Sequence, residues 1–456
     1  MTAAEQRIFY LLGAGTLFLI CGLLLFDPTA LMTALILPAI LLGGLIIWSA
    51  IRGERFGSMA LLFIGVFLLD AVFRRRDPLD KSLDYQVLMK VSIWFLMAII
   101  PLVNIRSWYR ILLLPSNMPW IFFLSWLCLS AIASMVPVYS ALTSFSIYAH
   151  ALFCAYIFAK YERVDVFAVI VAAIAVFCAV SFIIYYANPE YGRFTYWLNG
   201  ERYLSNRMAG ITGSANNLGR VAAFGLVIVG LYYREFHRYH RLFVPATALT
   251  MTAVLIMTNS RSSMAMVVVI LAAAYALNWR RLYLLVLVAS LGALALLVLA
   301  PFGDQIAGLI SRSGSTEEIT SLTGRTAIWD AVLVLSAERP WIGYGYGSSI
   351  FLLPQNESLV GFSVGHAHNL FLQLLLTTGW IGVILFAAAF FSVGLRAAYS
   401  RDWLVVAMLS VIVLNGITEA SGFTTLANIC TLAFTIAITL PPHTTGSYED
   451  DPSHQR

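Results

Sequence analysis

The chain has 456 residues, 60% hydrophobic and only 11% charged, with a formal net charge of +5 and a mean hydropathy of +0.83. Soluble chains carry about a quarter charged residues, so this composition excludes an ordinary soluble enzyme, a disordered protein and a nucleic-acid binder. It leaves a polytopic membrane protein, with the basic surplus assigned to loops on one side of the bilayer rather than to an acidic partner.

Apolar blocks of spanning length recur along the chain, at roughly 8–26, 30–50, 56–73, 85–103, 118–136, 140–159, 165–186, 218–233, 242–259, 262–277, 282–300, 369–391, 403–416 and 423–440. Their length and the lack of alternating polarity predict helices rather than strands. The expected fold is an all-α polytopic membrane protein of about fourteen transmembrane helices, a single integral membrane domain over residues 1–440. The first block lacks a basic n-region and a convincing cleavage site, so it reads as a retained helix rather than a signal peptide. Cys21, Cys128, Cys154, Cys178 and Cys430 all fall inside apolar windows. Neither a disulfide framework nor a thiolate metal site is expected.

Lys and Arg in the loops set the orientation. With the N-terminus inside, the cytoplasmic set holds Arg52, Arg55, Arg106, Arg110, Lys160, Arg163, Arg234, Arg238, Arg241, Arg280, Arg281, Arg396 and Arg401. Arg74, Arg75, Arg76 and Lys81 conflict with this reading unless Asp77, Asp80 and Asp84 offset them. An even span count puts both termini in the cytoplasm, with a polar, disordered tail over 441–456. Two long loops fall outside, at about 187–217 and 301–368, and long loops on a compact scaffold usually carry function. The second contains a predicted helix, capped by Thr323 and ending before Pro340, with Ile328, Trp329, Val332 and Leu335 on an apolar face. Such a helix beside a bilayer often lies in the interface.

The segment Gly365-His366-Ala367-His368-Asn369-Leu370 leads into the twelfth span. Asn369 is a candidate N-cap, which puts His368 at a helix mouth, where the positive end of the dipole favours an anion and an imidazole able to accept a proton. The bland alternative is a pair of loop histidines at a membrane surface. His-x-His is also a metal pattern, but no Asp/Glu cluster adjoins it in the sequence, so no metal is expected. Several arginines fall on the same side: Arg207, Arg220 in the first turn of a span, Arg261 in a tight turn between spans, and Arg325 at the start of the loop helix. Each alone is as easily a residue snorkelling to headgroups. Together they suit an anionic ligand, because guanidinium binds phosphate through paired donors. Arg339-Pro340-Trp341-Ile342-Gly343-Tyr344-Gly345-Tyr346-Gly347 alternates glycine with aromatics. It reads either as a sugar-stacking segment or as a hinge, and it lacks the Gly-Lys-Ser/Thr ending of a P-loop.

Taken together these features resemble the O-antigen ligase and polymerase superfamily of bacterial envelopes. The family's ligase signature is His, then Asn, Ser or Gln, nine residues, Gly, two residues, then Gly, Thr or Tyr; His368, Asn369, Gly379 and Gly382 keep that spacing. His366-Ala367 resembles the family's preceding histidine pattern. Arg207, Gly210 and Asn216 resemble its Arg-x-x-Gly…Asn element, with Ala215 where the family usually has Pro. Ser260-Arg261 resembles its Ser-Arg after a span, and Gly324-Arg325, Trp329, Pro340, Gly343 and Gly345 resemble its outer-loop pattern. The resemblance covers about residues 200–440.

The resemblance implies a bacterial inner-membrane glycosyltransferase whose active site faces the periplasm, needing neither cofactor nor metal. The donor would be a glycan on undecaprenyl pyrophosphate. His368 and Arg261 would be catalytic, and Arg207, Arg220, Arg325, His366 and Asn369 would bind pyrophosphate or glycan. Polymerisation of lipid-linked repeat units is the preferred activity. Ligation of the glycan to lipid A-core is the alternative, and a lipid-linked oligosaccharide transporter is a third reading, weakened because no related halves are visible. Expected partners are the lipid-linked donor, a glycan acceptor, the bilayer, and a chain-length regulator or flippase; nucleic acid is not among them.

Overall fold

The computed structural model describes residues 42–73, 85–109, 117–198, 201–278, 325–420, 422–424 and 426–440. The expected span at 8–26, most of that at 30–50, the span at 282–300, the cap at Thr323, residues 301–324 of the second long loop and the tail at 441–456 lie outside them.

The described residues are dominated by helices: α1 (Leu42–Ile51), α2 (Arg55–Leu69), α3 (Tyr85–Val103), α4 (Met118–Ser130), α5 (Pro137–Lys160), α6 (Arg163–Ala187), α7 (Ala215–Leu231), α8 (Phe243–Thr258), α9 (Arg261–Asn278), α10 (Arg325–Glu338), α11 (Ser349–Gln355), α12 (Leu370–Ser400), α13 (Trp403–Thr418) and α14 (Ile429–Thr439). Four of these, α3, α5, α6 and α12, are long and apolar enough to cross a membrane by length and composition. Shorter apolar helices, α7 and α8 among them, account for most of the other expected blocks. A 17-residue helix such as α7 reaches about 25 Å, just short of a ~30 Å hydrocarbon core.

Helix ends follow from local chemistry. Asn369 caps α12, its side-chain oxygen accepting from Phe371 N at 3.0 Å and Leu372 N at 3.1 Å. Asn428 and Thr431 form a reciprocal capping box that starts α14 six residues later than its apolar block begins. α12 runs on to Ser400, beyond the expected 391, because Arg396 finds polar partners at Asn117 Oδ1 and the Ala437 carbonyl.

The helices pack around one apolar core. α5 lies between α3 and α14, α6 against α2, and α7 against α8 and α9. Phe123, Phe386, Phe423 and Phe434 meet edge-on or stacked at centroid distances of 5.2–5.9 Å. A second, smaller core lies under α10. Its Ile328, Ala331, Val332 and Leu335 are buried against Tyr344, Leu353, Ala367 and Leu376. The apolar face read from the sequence is thus the buried face, but it docks on protein rather than lying free.

The first long loop holds an element the sequence reading does not anticipate, an antiparallel hairpin of Arg193–Leu198 with Glu201–Met208. Its signal was present: aromatic and β-branched residues flank Asn199-Gly200, a favoured two-residue hairpin turn. The second strand delivers Arg207 to the bundle.

The two ends of the bundle differ in kind. At one end sit ion pairs between basic and acidic residues at helix starts: Arg163–Asp402 at 2.8 Å, Arg238–Asp165 at 2.6 Å, Arg238–Glu162 at 2.8 Å, and Arg55–Asp165. At the other end, where α6 and α13 finish and α7 and α12 begin, lie Arg207, Arg220, Arg325, His366, His368 and Glu419. Among the described residues, Arg55, Arg163 and Arg238, read as cytoplasmic, thus lie at the end opposite to Arg207, Arg220 and Arg325, read as outer.

Candidate active site

The site is built where α12 begins and α13 ends. His368 immediately precedes the Asn369 cap and takes a left-handed backbone, φ +50°, a conformation uncommon outside glycine and concentrated at functional sites. Both sides of its loop are clamped. Ala367 N donates to Gln373 Oε1 at 2.9 Å, Trp329 Nε1 donates to the Ala367 carbonyl at 3.0 Å, and Gln373 Nε2 donates to Ser349 Oγ at 2.7 Å. The loop helix α10 thereby fixes the histidine loop through Trp329.

His368 Nδ1 lies 3.0 Å from Glu419 Oε2. Glu419 is the residue after α13 and is 8% exposed. Its other oxygen accepts from Arg325 Nη2 at 3.1 Å and Asn216 Nδ2 at 3.1 Å. Burial raises the Glu419 carboxyl, but the hydrogen bond from His368 and the Arg220 charge outweigh it and hold the carboxyl well below the ordinary range. The ionised carboxylate can only accept, so Nδ1 of His368 carries the hydrogen, and in the neutral ring the lone pair is on Nε2.

The hydrogen-bond network continues to the hairpin. Arg207 Nη2 donates to Asn216 Oδ1 at 2.9 Å, and its Nε donates to the Thr258 carbonyl at 2.9 Å. These partners explain its position: α8 ends at Thr258 with Asn259 in the left-handed region, and a helix end leaves carbonyls without intrahelical partners. Arg207 satisfies them and braces the 258–261 turn. Arg261, the first residue of α9, is exposed and makes no hydrogen bond or ion pair among the described residues. Arg220 is 9% exposed and donates to Asn217 Oδ1. His366 packs its ring 4.0 Å from that of His368. Its Nδ1 is buried without a hydrogen bond among the described residues, and burial together with the neighbouring His368 pushes its pKa down to about 3.

The structure thus joins His368, Arg325 and Arg207 in one network through Glu419 and Asn216, sets His366 and Arg220 beside it, and keeps Arg261 on the turn that Arg207 holds. Asn369 serves the helix start. Glu419 is the residue the sequence reading lacks; that reading finds no carboxylate beside His368, and the fold supplies one from 51 residues away. Its signal was a lone acid: no other Asp or Glu falls between Asp402 and Glu449. Ligand atoms of His366, His368 and Glu419 lie within 4.8 Å of one another, close enough for a divalent cation. Both Glu419 oxygens already accept hydrogen bonds, one of them from a guanidinium, which opposes a cation there.

The glycine-rich segment is packed, not hinged. Tyr344 and Tyr346 are buried and Trp341 is exposed, so of these three only the Trp341 ring is open for stacking on a sugar. Gly379 breaks α12 with φ +66°, and a Cβ there would lie 2.2 Å from the Trp341 carbonyl. Into that break the segment inserts its backbone: Trp380 N donates to the Pro340 carbonyl at 2.8 Å and Tyr344 N to the Leu376 carbonyl at 3.0 Å.

A bundle of apolar helices with a buried, hydrogen-bonded polar site at one end defines a multi-pass membrane protein. Residues 246–387 match the family described as O-antigen ligase, which bears out the resemblance to the O-antigen ligase and polymerase superfamily. The match contains Arg261, Arg325, His366, His368, Gly379 and Gly382, and excludes Arg207, Arg220 and Glu419. No curated protein matches the chain.

Proposed function

We propose that the protein is a periplasm-facing glycosyltransferase of the inner membrane, with about fourteen spans and both termini in the cytoplasm. It polymerises repeat units carried on undecaprenyl pyrophosphate. The observation that carries the reading is the His368–Glu419 pair. Glu419 sets the tautomer of His368, so Nε2 can take the proton of an acceptor hydroxyl. The hydroxyl oxygen forms a bond to the anomeric carbon as the bond from that carbon to the pyrophosphate oxygen breaks. The pyrophosphate leaves with the bonding electrons, and Arg261, with Arg220 alongside, stabilises its charge. Arg325 orients Glu419, and Arg207 holds the turn that presents Arg261. The step balances without a cofactor or metal, because the leaving group carries the activation.

Purified protein given a lipid-linked repeat unit, with and without lipid A-core, tests this. A ladder of products on undecaprenyl pyrophosphate supports polymerisation. Transfer only to the core makes the protein a ligase, and no glycosyl transfer in either case overturns the reading.

A further inference from the structure

A polar cavity of about 370 Å³ opens from the site toward the first half of the chain, a volume within the range of small-molecule sites. His366 and Glu419 line it together with Asp70, the residue after α2, and Lys90 of α3, both outside the family match. Lys90 belongs to α3, one of the helices long and apolar enough to cross a membrane, yet it is buried in protein. Among the described residues its ammonium donates to the Leu69 carbonyl at 3.3 Å. Asp70 ends α2 and accepts from Ile429 N at 2.8 Å. An ionisable residue inside a spanning helix usually faces a functional cavity.

The lining decides what fits. The lining holds two carboxylates, Asp70 and Glu419, two cations, Lys90 and Arg220, and the amides of Asn217 and Asn428. A second diphosphate would be repelled by both carboxylates. A neutral polyol would not: each hydroxyl donates to a carboxylate or amide oxygen and accepts from an ammonium, guanidinium or amide. His366, in contact with His368, joins this space to the reacting centre. We infer that the cavity is a saccharide subsite for the sugar ring beside the bond being made or broken, with Lys90 and Asp70 selecting that sugar. The inference rests on the glycosyl-transfer reading above.

The test uses full-length protein in nanodiscs and two probes: bare undecaprenyl pyrophosphate, and lipid-linked repeat unit extracted from the bacterium that makes the protein. Lys90→Met removes the donor, Lys90→Gln keeps one, and Thr424→Leu narrows the cavity from its lining without touching a charge. Lys90→Met and Thr424→Leu are expected to weaken binding of the glycan-bearing lipid by about 10-fold or more, with Lys90→Gln retaining most of the affinity. Binding of the bare lipid is expected to stay at the wild-type level in all three. Unchanged binding of the glycan-bearing lipid in Lys90→Met and Thr424→Leu overturns the subsite, as does equal weakening of both probes. If Lys90→Met does not fold, Thr424→Leu alone decides between these outcomes. Failure of the underlying reading looks different: wild type would not bind the glycan-bearing lipid, or Arg261→Ala would leave binding of the bare lipid untouched.

Discussion

His368 and Glu419 stand 51 residues apart in the chain and 3.0 Å apart in the fold, the imidazole at the start of one apolar helix and the carboxylate at the end of the next. The carboxylate fixes which ring nitrogen carries the hydrogen. Glu419→Gln is expected to reverse this: the amide Nε2 can donate to Nδ1, which moves the ring hydrogen to Nε2 and removes the base. Turnover should fall by about 100- to 10,000-fold with expression near normal, and Glu419→Asp should recover part of it. Product formation per unit of purified protein measures both, and wild-type turnover in Glu419→Gln would separate the pair from the chemistry.

Arg261 is expected to contact pyrophosphate through paired donors. Arg261→Ala should abolish activity with little effect on yield, because the residue is exposed and the turn beneath it is held by Arg207. Arg261→Lys should restore little, since an ammonium lacks the planar fork. Full activity in Arg261→Lys would show that charge alone suffices.

Gly379→Ala should destabilise the protein and lower activity together. The position has φ +66° and a Cβ there would lie 2.2 Å from a carbonyl oxygen; backbone strain of this kind costs about 1–3 kcal/mol before the clash is counted. The 340–344 backbone would be driven out of the helix break. Thermal unfolding in detergent checks this, with Gly394→Ala, whose Cβ would meet only a side-chain carbon at 3.7 Å, as the mild control.

Acid should destabilise the protein in a window set by His366. In the folded protein this imidazole stays neutral down to about 3, whereas in the unfolded chain it takes a proton near the ordinary histidine value of about 6.5. The unfolded state therefore binds more protons between those values, and stability is lost as pH falls from about 7. The unfolding temperature should drop between pH 7.5 and 5, and His366→Gln should make that drop shallower.

Much of the helix order was legible because membrane helices announce themselves by length and apolarity; α3 begins and ends where its apolar block does. The site was legible in part. His368, Asn369 and the arginines stand in local patterns, and Asn369 caps as its position implies. Glu419 was not legible, because a carboxylate at the end of a span acquires meaning only from the helix packed beside it. The helix within the 423–440 block is shorter than the block for a similar reason: Asn428 starts it, and residues before it help line the polar cavity. The glycines at 343, 345 and 347 looked like freedom in the sequence, yet each holds a positive φ against neighbouring backbone or side chain.

The central claim is that His368 takes the acceptor proton. The most direct measurement is the rate of glycan product formation by purified His368→Ala, beside wild type and His366→Ala, on lipid-linked repeat units across pH 6 to 9. The account predicts a loss of about 100-fold or more for His368→Ala, with donor binding retained, and a smaller loss for His366→Ala. Turnover by His368→Ala near the wild-type rate would contradict it.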